Sequence, residues 1–210
     1  MNTVFKCVFF SSIIFAAGCA TKPSMTREEF LAATTRTYDK SPDEILNSAQ
    51  KLLQLADGDD FNFSHSEDGL DASRNWMIYL VFSAAFGNDV WQVKTAKQPD
   101  GKTKVFVSAS TNPGSTLAPL GTGVGTVPGT AGNTVQGTAL YDLFYSRLEY
   151  LLGINKEWMT CRDSEQKLKA KQVWGLNEAL CSVTTKDIDP RTGISSYTTN
   201  RKNSPAEPHR

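Results

Sequence analysis

The sequence contains few of the side chains that enzymes most often use for proton transfer and metal binding. Only two histidines occur among 210 residues, His65 and His209. Neither sign of charge is in excess, because the chain contains 22 basic and 22 acidic residues. Domains that bind nucleic acid usually carry a basic excess or a basic stripe. We therefore predict no nucleic-acid partner.

Two local patterns come close to known sites, but each lacks a required feature. His65 follows Ser64, yet in a strand the two side chains point to opposite faces and cannot form a catalytic pair. The acidic cluster at residues 57–68 approaches the spacing of a calcium-binding loop, but Phe61 and Phe63 occupy ligand positions. We predict no catalytic residue, no metal site and no cofactor, and hence a protein that is not an enzyme.

Charged residues are missing from the long stretch at residues 105–141. Its middle, from Thr111 to Thr138, consists mainly of Gly, Thr, Pro and Ala and has no aromatic residue. Such a segment buries too little apolar surface to offset the entropy cost of ordering it. We predict a mobile loop at 111–138, which is either a plain linker or a segment that contacts a partner or a membrane.

The apolar run at the start of the chain is too short to cross a bilayer. It begins after Lys6, carries no charge to residue 19, and ends in the small residues Ala16, Ala17 and Gly18. A membrane span needs about 20 apolar residues. A basic start, a short apolar core and a small-residue end are typical of a secretory signal peptide. The simplest alternative is a plain secreted protein in which the following cysteine, Cys19, has no role.

The end of this segment, Ala16-Ala17-Gly18-Cys19, resembles the lipobox of bacterial lipoproteins. The resemblance implies cleavage before Cys19, a diacylglycerol on its sulfur, and acylation, for example by palmitate, of the new N-terminus. Ala20 lacks the Asp that favours inner-membrane retention in this family, which implies a lipoprotein of the cell outer membrane that faces the periplasm. The resemblance is confined to the N-terminal segment. It departs at Ala16, where the family usually has Leu.

The remaining cysteines predict a disulfide bond. Cys7 leaves with the signal peptide and Cys19 is the predicted lipidation site, so Cys161 and Cys181 are left. In an oxidising compartment two remaining cysteines most simply pair with each other. The alternative, a two-thiol metal site, needs nearby His or further Cys, and the sequence offers none close by.

Two amphipathic segments predict the main helices. The first begins at Ser41-Pro42, a favourable cap followed by proline in the first turn, and ends near Gly58. The second covers residues 140–152 and ends at Gly153. A capping box formed by Thr26 and Glu29 predicts a short and weak helix that starts there and precedes the two main helices.

Between the helices, alternating apolar and polar residues predict about four strands. Turn signals occur at Glu67-Asp68-Gly69 and Gln98-Pro99-Asp100-Gly101, and Gly87-Asn88-Asp89 predicts a further break. The stretch from Ile78 to Phe86 is compatible with strand or helix. Because short turns join antiparallel neighbours, we predict an α+β fold in which two main helices pack on one face of an antiparallel sheet.

The predicted organisation has four parts. Residues 1–18 form the signal peptide, and residues 19–40 form a lipid-anchored tether with the short helix. Residues 41–185 form the α+β domain, whose C-terminal segment is held by the disulfide. Residues 186–210 are polar and predict a disordered tail.

These features predict a lipid-anchored protein of the cell envelope with a non-catalytic binding, scaffold or assembly role. Its expected partners are the membrane, through Cys19, and an envelope protein of unknown identity. One alternative is a periplasmic module that binds a small molecule or lipid, which requires an apolar cavity between the helices and the sheet. A third possibility is an envelope hydrolase without a familiar motif.

Overall fold

The computed structural model describes residues 24–57, 60–80, 83–116, 133–181 and 187–195. The described strands form one antiparallel sheet in the order β1-β5-β4-β3-β2, and β6 also pairs with β5. The elements in chain order are α1 (Arg27–Thr34), β1 (Thr35–Tyr38), α2 (Pro42–Asp57), β2 (Asn62–Ser66), β3 (Gly69–Leu80), β4 (Ser83–Lys97), β5 (Thr103–Thr116), β6 (Asn133–Thr134), α3 (Ala139–Leu151) and α4 (Cys161–Lys169).

This architecture confirms the α+β class and the antiparallel sheet. The described sheet has more strands than the four expected, because β1 and β6 were not predicted. These two strands contain only 4 and 2 residues. Elements of that length carry no readable apolar alternation, and their pairing with β5 depends on contacts far along the chain.

Local side-chain caps mark the start of helices α1 and α2. In α1 the Thr26 hydroxyl accepts a hydrogen bond from the Glu29 amide (3.2 Å), and the Glu29 carboxylate accepts one from the Thr26 amide (2.9 Å). This is the predicted capping box. At the start of α2 the Ser41 hydroxyl accepts a hydrogen bond from the Glu44 amide at 3.2 Å.

The core lies between one face of the sheet and helices α2 and α3. Trp91 of β4 is completely buried, and its ring stacks on Phe144 of α3 with 5.4 Å between the ring centroids. Helix α2 buries its apolar stripe against the same core, and burial of each large side chain stabilises the fold by about 1.5–3 kcal/mol. The stripe consists of Ile45, Ala49, Leu52, Leu53 and Ala56.

Strand β4 runs through the break that was predicted at Gly87-Asn88-Asp89. Gly87 lies directly opposite Trp76 of β3, and a Cβ atom at residue 87 would come within 2.3 Å of the indole ring. The glycine is therefore needed for the close approach of Trp76 and does not mark a turn. The described residues between Ile78 and Phe86 are in strand conformation.

Two tryptophans lie on the neighbouring strands β3 and β4 but are not opposite each other. Trp76 pairs with Gly87, whereas Trp91 pairs with Ala72, four positions away on β3. Trp91 belongs to the core and Trp76 lies outside the core cluster.

The predicted loop and tail both contain ordered backbone. Residues 111–116 continue strand β5 and residues 133–134 form β6, so strands enter the predicted loop from both ends. Residues 187–195, assigned by composition to a disordered tail, pack against α3. Residues 117–132 and 196–210 lie outside the described part, as do the predicted signal peptide and Cys19.

Candidate functional site

The chain enters the domain at a fixed point. Ser24 is the first described residue and follows Cys19 by five positions. The Met25 amide donates a hydrogen bond to the Gln136 side-chain oxygen at 3.2 Å, and the Gly137 amide lies 3.1 Å from the Met25 sulfur as donor. The tether therefore joins the domain beside the short segment that links β6 to α3.

A groove opens directly beside this point, and we call it the entry groove. Its volume is about 430 Å³, within the range of ligand sites. Helix α1, the start of α3 and the segment after α4 form its walls. The lining residues are Met25, Glu29, Ala32, Ala33, Arg36, Thr138, Asp142, Gln172, Val173 and Trp174.

Trp174 lies at the rim of the entry groove, is 37% exposed, and has a fixed backbone. Its carbonyl accepts hydrogen bonds from the amides of Thr138 (2.8 Å) and Ala139 (3.0 Å), and its amide donates to the Thr138 hydroxyl (3.1 Å). Gly137 permits this approach, because a Cβ there would lie 2.6 Å from the Trp174 carbonyl oxygen. The groove thus has a pre-positioned aromatic residue.

The charged groups of the entry groove already have partners within the domain. Glu29 belongs to the capping box of α1, and Asp142 forms an ion pair with Lys167 at 2.8 Å. Arg36 donates to the Ala32 carbonyl at 2.7 Å, and its guanidinium lies 5.0 Å from the centre of the Tyr145 ring. A ligand therefore meets apolar surface together with charged groups that are already paired.

The tyrosines behind the groove remain protonated. Burial raises the pKa of Tyr145, whose hydroxyl donates to the Thr34 carbonyl at 2.6 Å. Burial also raises the pKa of Tyr141 to about 12, although its contact with the Ala109 amide acts in the opposite direction. Both hydroxyls act as structural donors at neutral pH, since the Tyr141 hydroxyl donates to the Val135 carbonyl at 3.0 Å.

The structure contains the predicted disulfide between Cys161 and Cys181, with an S–S distance of 2.06 Å. It lies in a buried cluster that we call the C-terminal hub, made of this disulfide, Arg147 and Asp187. Arg147 and Asp187 form an ion pair at 2.6 Å, with side chains only 2% and 0% exposed. The other Asp187 oxygen accepts a hydrogen bond from the Cys161 amide at 2.9 Å.

Sequence reasoning missed Arg147, although a signal was present. Arg147 lies four positions after Leu143 and four before Leu151, so it falls on the apolar face of α3. A charged residue on such a face requires a buried partner. The chain offered no way to identify Asp187 as that partner, since it lies 40 positions further along.

A second contact fixes the segment after the hub. The Tyr150 hydroxyl donates to the Asp189 carboxylate at 2.7 Å, and the Arg191 guanidinium stacks over the Tyr150 ring at 3.9 Å. Partial burial opposes the Asp189 charge, but hydrogen bonds from Tyr150, Arg191 and Thr192 outweigh it and hold the pKa of Asp189 below its usual value.

The remaining sequence candidates do not come together. His65 is exposed, and its ring nitrogen lies 2.8 Å from the Gln50 side-chain oxygen. Asp68 accepts a hydrogen bond from Ser66, while Asp59 lies outside the described residues. Among the residues with described positions, no group of three possible metal ligands occurs. Within the same ranges, no helix combines the length and apolar character needed to cross a membrane.

No family model, curated protein or solved structure matches this chain. The features of the chain that bear on its function are therefore the tether, the entry groove and the surfaces of the sheet.

Proposed function

We propose that this protein is a lipid-anchored component of the cell envelope with a non-catalytic binding, scaffold or assembly role. The supporting observation is the fixed entry of the chain at Met25 beside the entry groove. The five residue-to-residue steps from Cys19 to Ser24 span at most about 18 Å. Acyl chains on Cys19 would hold the groove close to the periplasmic surface of the outer membrane, since each buried CH₂ contributes about 0.8 kcal/mol.

The entry groove suits a segment of an envelope protein. Aromatic residues dominate the binding energy of protein interfaces, and pre-positioned anchors lose little entropy on binding. Trp174 meets both conditions, because it is partly exposed and its backbone is bonded to the start of α3. The buried groove residues Ala33 and Val173 provide apolar surface for a partner side chain.

The space that a small-molecule module would need is filled in the described part of the domain. Trp91, Phe144, Leu148 and Val93 occupy the region between the helices and the sheet, and all four are 0% exposed. The open entry groove therefore supports a protein ligand better than an enclosed lipid or small molecule. No contact in the described residues favours hydrolysis over binding.

A photo-cross-linking residue at position 174 tests the scaffold proposal. We expect the Trp174 variant, expressed in cells, to form one cross-linked product of discrete mass in the membrane fraction. The matched control carries the same residue at Gln92, which is exposed on the opposite face of the sheet and should form no such product. Cys19→Ala should move the protein to the soluble fraction and reduce the product.

Two results would count against this function. Equal products from positions 174 and 92 would mean that the groove has no special role. Membrane retention of the Cys19→Ala variant would remove the anchor from the proposal.

A further inference from the structure

The outer parts of strands β3, β4 and β5 contain no charged residue. We call residues 75–80, 83–88 and 112–116 the uncharged arm, since none of them carries a charged side chain. The last charges before the arm are Arg74 and Asp89, which lie opposite each other and form a buried ion pair at 2.9 Å. No charged residue therefore follows Arg74 in β3 or precedes Asp89 in β4.

The described side chains of the arm lie outside the core cluster. Among the described residues, the core members of β3, β4 and β5 nearest to the arm are Ala72, Trp91 and Ala109. Further out, Met77 is 56% exposed and lies directly opposite Phe86, which is half-buried. Met77 and Phe86 share the sheet face that carries polar residues closer to the domain, such as Ser73 and Gln92. An apolar pair on this face has no folding function visible in the described contacts.

The start of the arm on β5 lies close to the point where the tether enters the domain. Met25, where the tether enters, contacts Gln136 and Gly137. The preceding strand β6 pairs with β5 at Ser110 and Thr111, directly before the arm begins. The six described arm residues of β3 extend about 20 Å at 3.3 Å per residue. The arm is thus about as long as the tether, and both start from the same region.

We propose that the uncharged arm contacts the lipid bilayer at the boundary between headgroups and acyl chains, with Met77 and Phe86 on the contacting face. The proposal rests on the lipid anchor of the proposed function, which brings this end of the domain to a membrane. A segment without charge suits a bilayer, because charged side chains are costly there. Trp76 points to the other face of β3, where its indole donates to Asp89 at 3.1 Å, and is not part of the contacting face.

A bilayer interface also suits the hydrogen bonding of the arm. Neighbouring strands satisfy the inner backbone groups. From Asn75 outward, β3 faces no second described strand on the side away from β4, because β2 pairs only as far as Ser73. Unpaired edges are not tolerated in the hydrocarbon centre but find water at the headgroups. The arm therefore rests at the interface and does not cross the membrane.

The test compares two labelled forms of the processed full-chain protein. One carries an environment-sensitive fluorophore on Met77→Cys, and the other carries it on Ile194→Cys, which is similarly exposed at 60% but lies in the C-terminal segment. Each is reconstituted with vesicles of phosphatidylethanolamine and phosphatidylglycerol that contain nitroxide-labelled lipid. We expect quenching at position 77 to exceed quenching at position 194 by at least about threefold, as apolar burial at an interface requires.

A charge substitution identifies the contacting face. Phe86→Asp should abolish the extra quenching at position 77, whereas Ile194→Asp should leave it unchanged, with circular dichroism confirming that both variants fold. Equal quenching at positions 77 and 194 would overturn the proposal. Shielding of position 77 without vesicles, together with a concentration-dependent dimer, would assign the arm to a second copy of the chain instead.

The results distinguish a failure of the proposed arm contact from a failure of the proposed lipid anchor. An acylated protein without the difference between positions 77 and 194 contradicts only the arm contact. A protein that mass spectrometry shows to be unacylated, but whose arm is still quenched selectively, contradicts the anchor and leaves the arm contact in place.

Discussion

Replacing Arg147 by methionine is expected to lower the free energy of unfolding by about 3–5 kcal/mol, because it removes the guanidinium that balances a buried carboxylate. The Asp187 side chain is 0% exposed and forms an ion pair with Arg147. The guanidinium also donates to the Met159 carbonyl at 2.9 Å and lies over the Trp158 ring at 4.7 Å. Methionine keeps most of the apolar volume, so the loss reports the charge and the hydrogen bonds.

An exposed ion pair provides the matched control. Lys40 and Glu44 lie 2.7 Å apart on the surface, at 31% and 45% exposure. Lys40→Met should cost only about 0.3–0.5 kcal/mol, as exposed pairs of this spacing do. Urea unfolding of both variants gives the comparison. Arg147→Met/Asp187→Leu should recover part of the loss, since it removes the buried carboxylate as well. A loss below about 1 kcal/mol for Arg147→Met would contradict a buried role for this pair.

Removing the disulfide should cost about 3 kcal/mol in the chain-entropy model, since it closes a loop with a sequence separation of 20. In a chain of this size that corresponds to a decrease of about 6–12 °C in the unfolding midpoint. The measurement is thermal unfolding of Cys161→Ala/Cys181→Ala beside the unmodified protein.

The disulfide and the ion pair should not act independently. The Arg147 guanidinium lies 3.4 Å from the Cys161 sulfur, and the Cys161 amide bonds to Asp187. Groups in one network usually give non-additive losses. Combining Arg147→Met with the double alanine variant should therefore cost less than the sum of the two. An unchanged midpoint in the double alanine variant would show that the hub holds the C-terminal segment without the disulfide.

Features that depend on adjacent residues were predictable from the sequence. The capping box at Thr26 and the start of α2 at Ser41 each require only side chains within one turn. The turns at Asp68-Gly69 and Pro99-Asp100 follow from local backbone preferences, and the structure has hairpins at both places. The Cys161–Cys181 pairing was predictable because few partners were available.

Features that depend on distant residues were not predictable. A glycine followed by Asn and Asp is typical of a strand break. Only the close approach of the Trp76 ring on the neighbouring strand explains why Gly87 lies within a strand. Asp187 looks like part of a polar tail until Arg147 is placed beside it. The entry groove has the same origin, since Ala33 and Trp174 meet only after α1 and the segment after α4 have packed.

The intact mass of the mature protein, extracted from its native membranes, tests the central claim most directly. The lipid anchor and the disulfide together predict a chain that begins at Cys19, carries acyl chains, and has two thiols that react with an alkylating reagent only after reduction. An unacylated mass that begins elsewhere would remove the membrane from the proposed function. Thiols that react without reduction would contradict the Cys161–Cys181 bond.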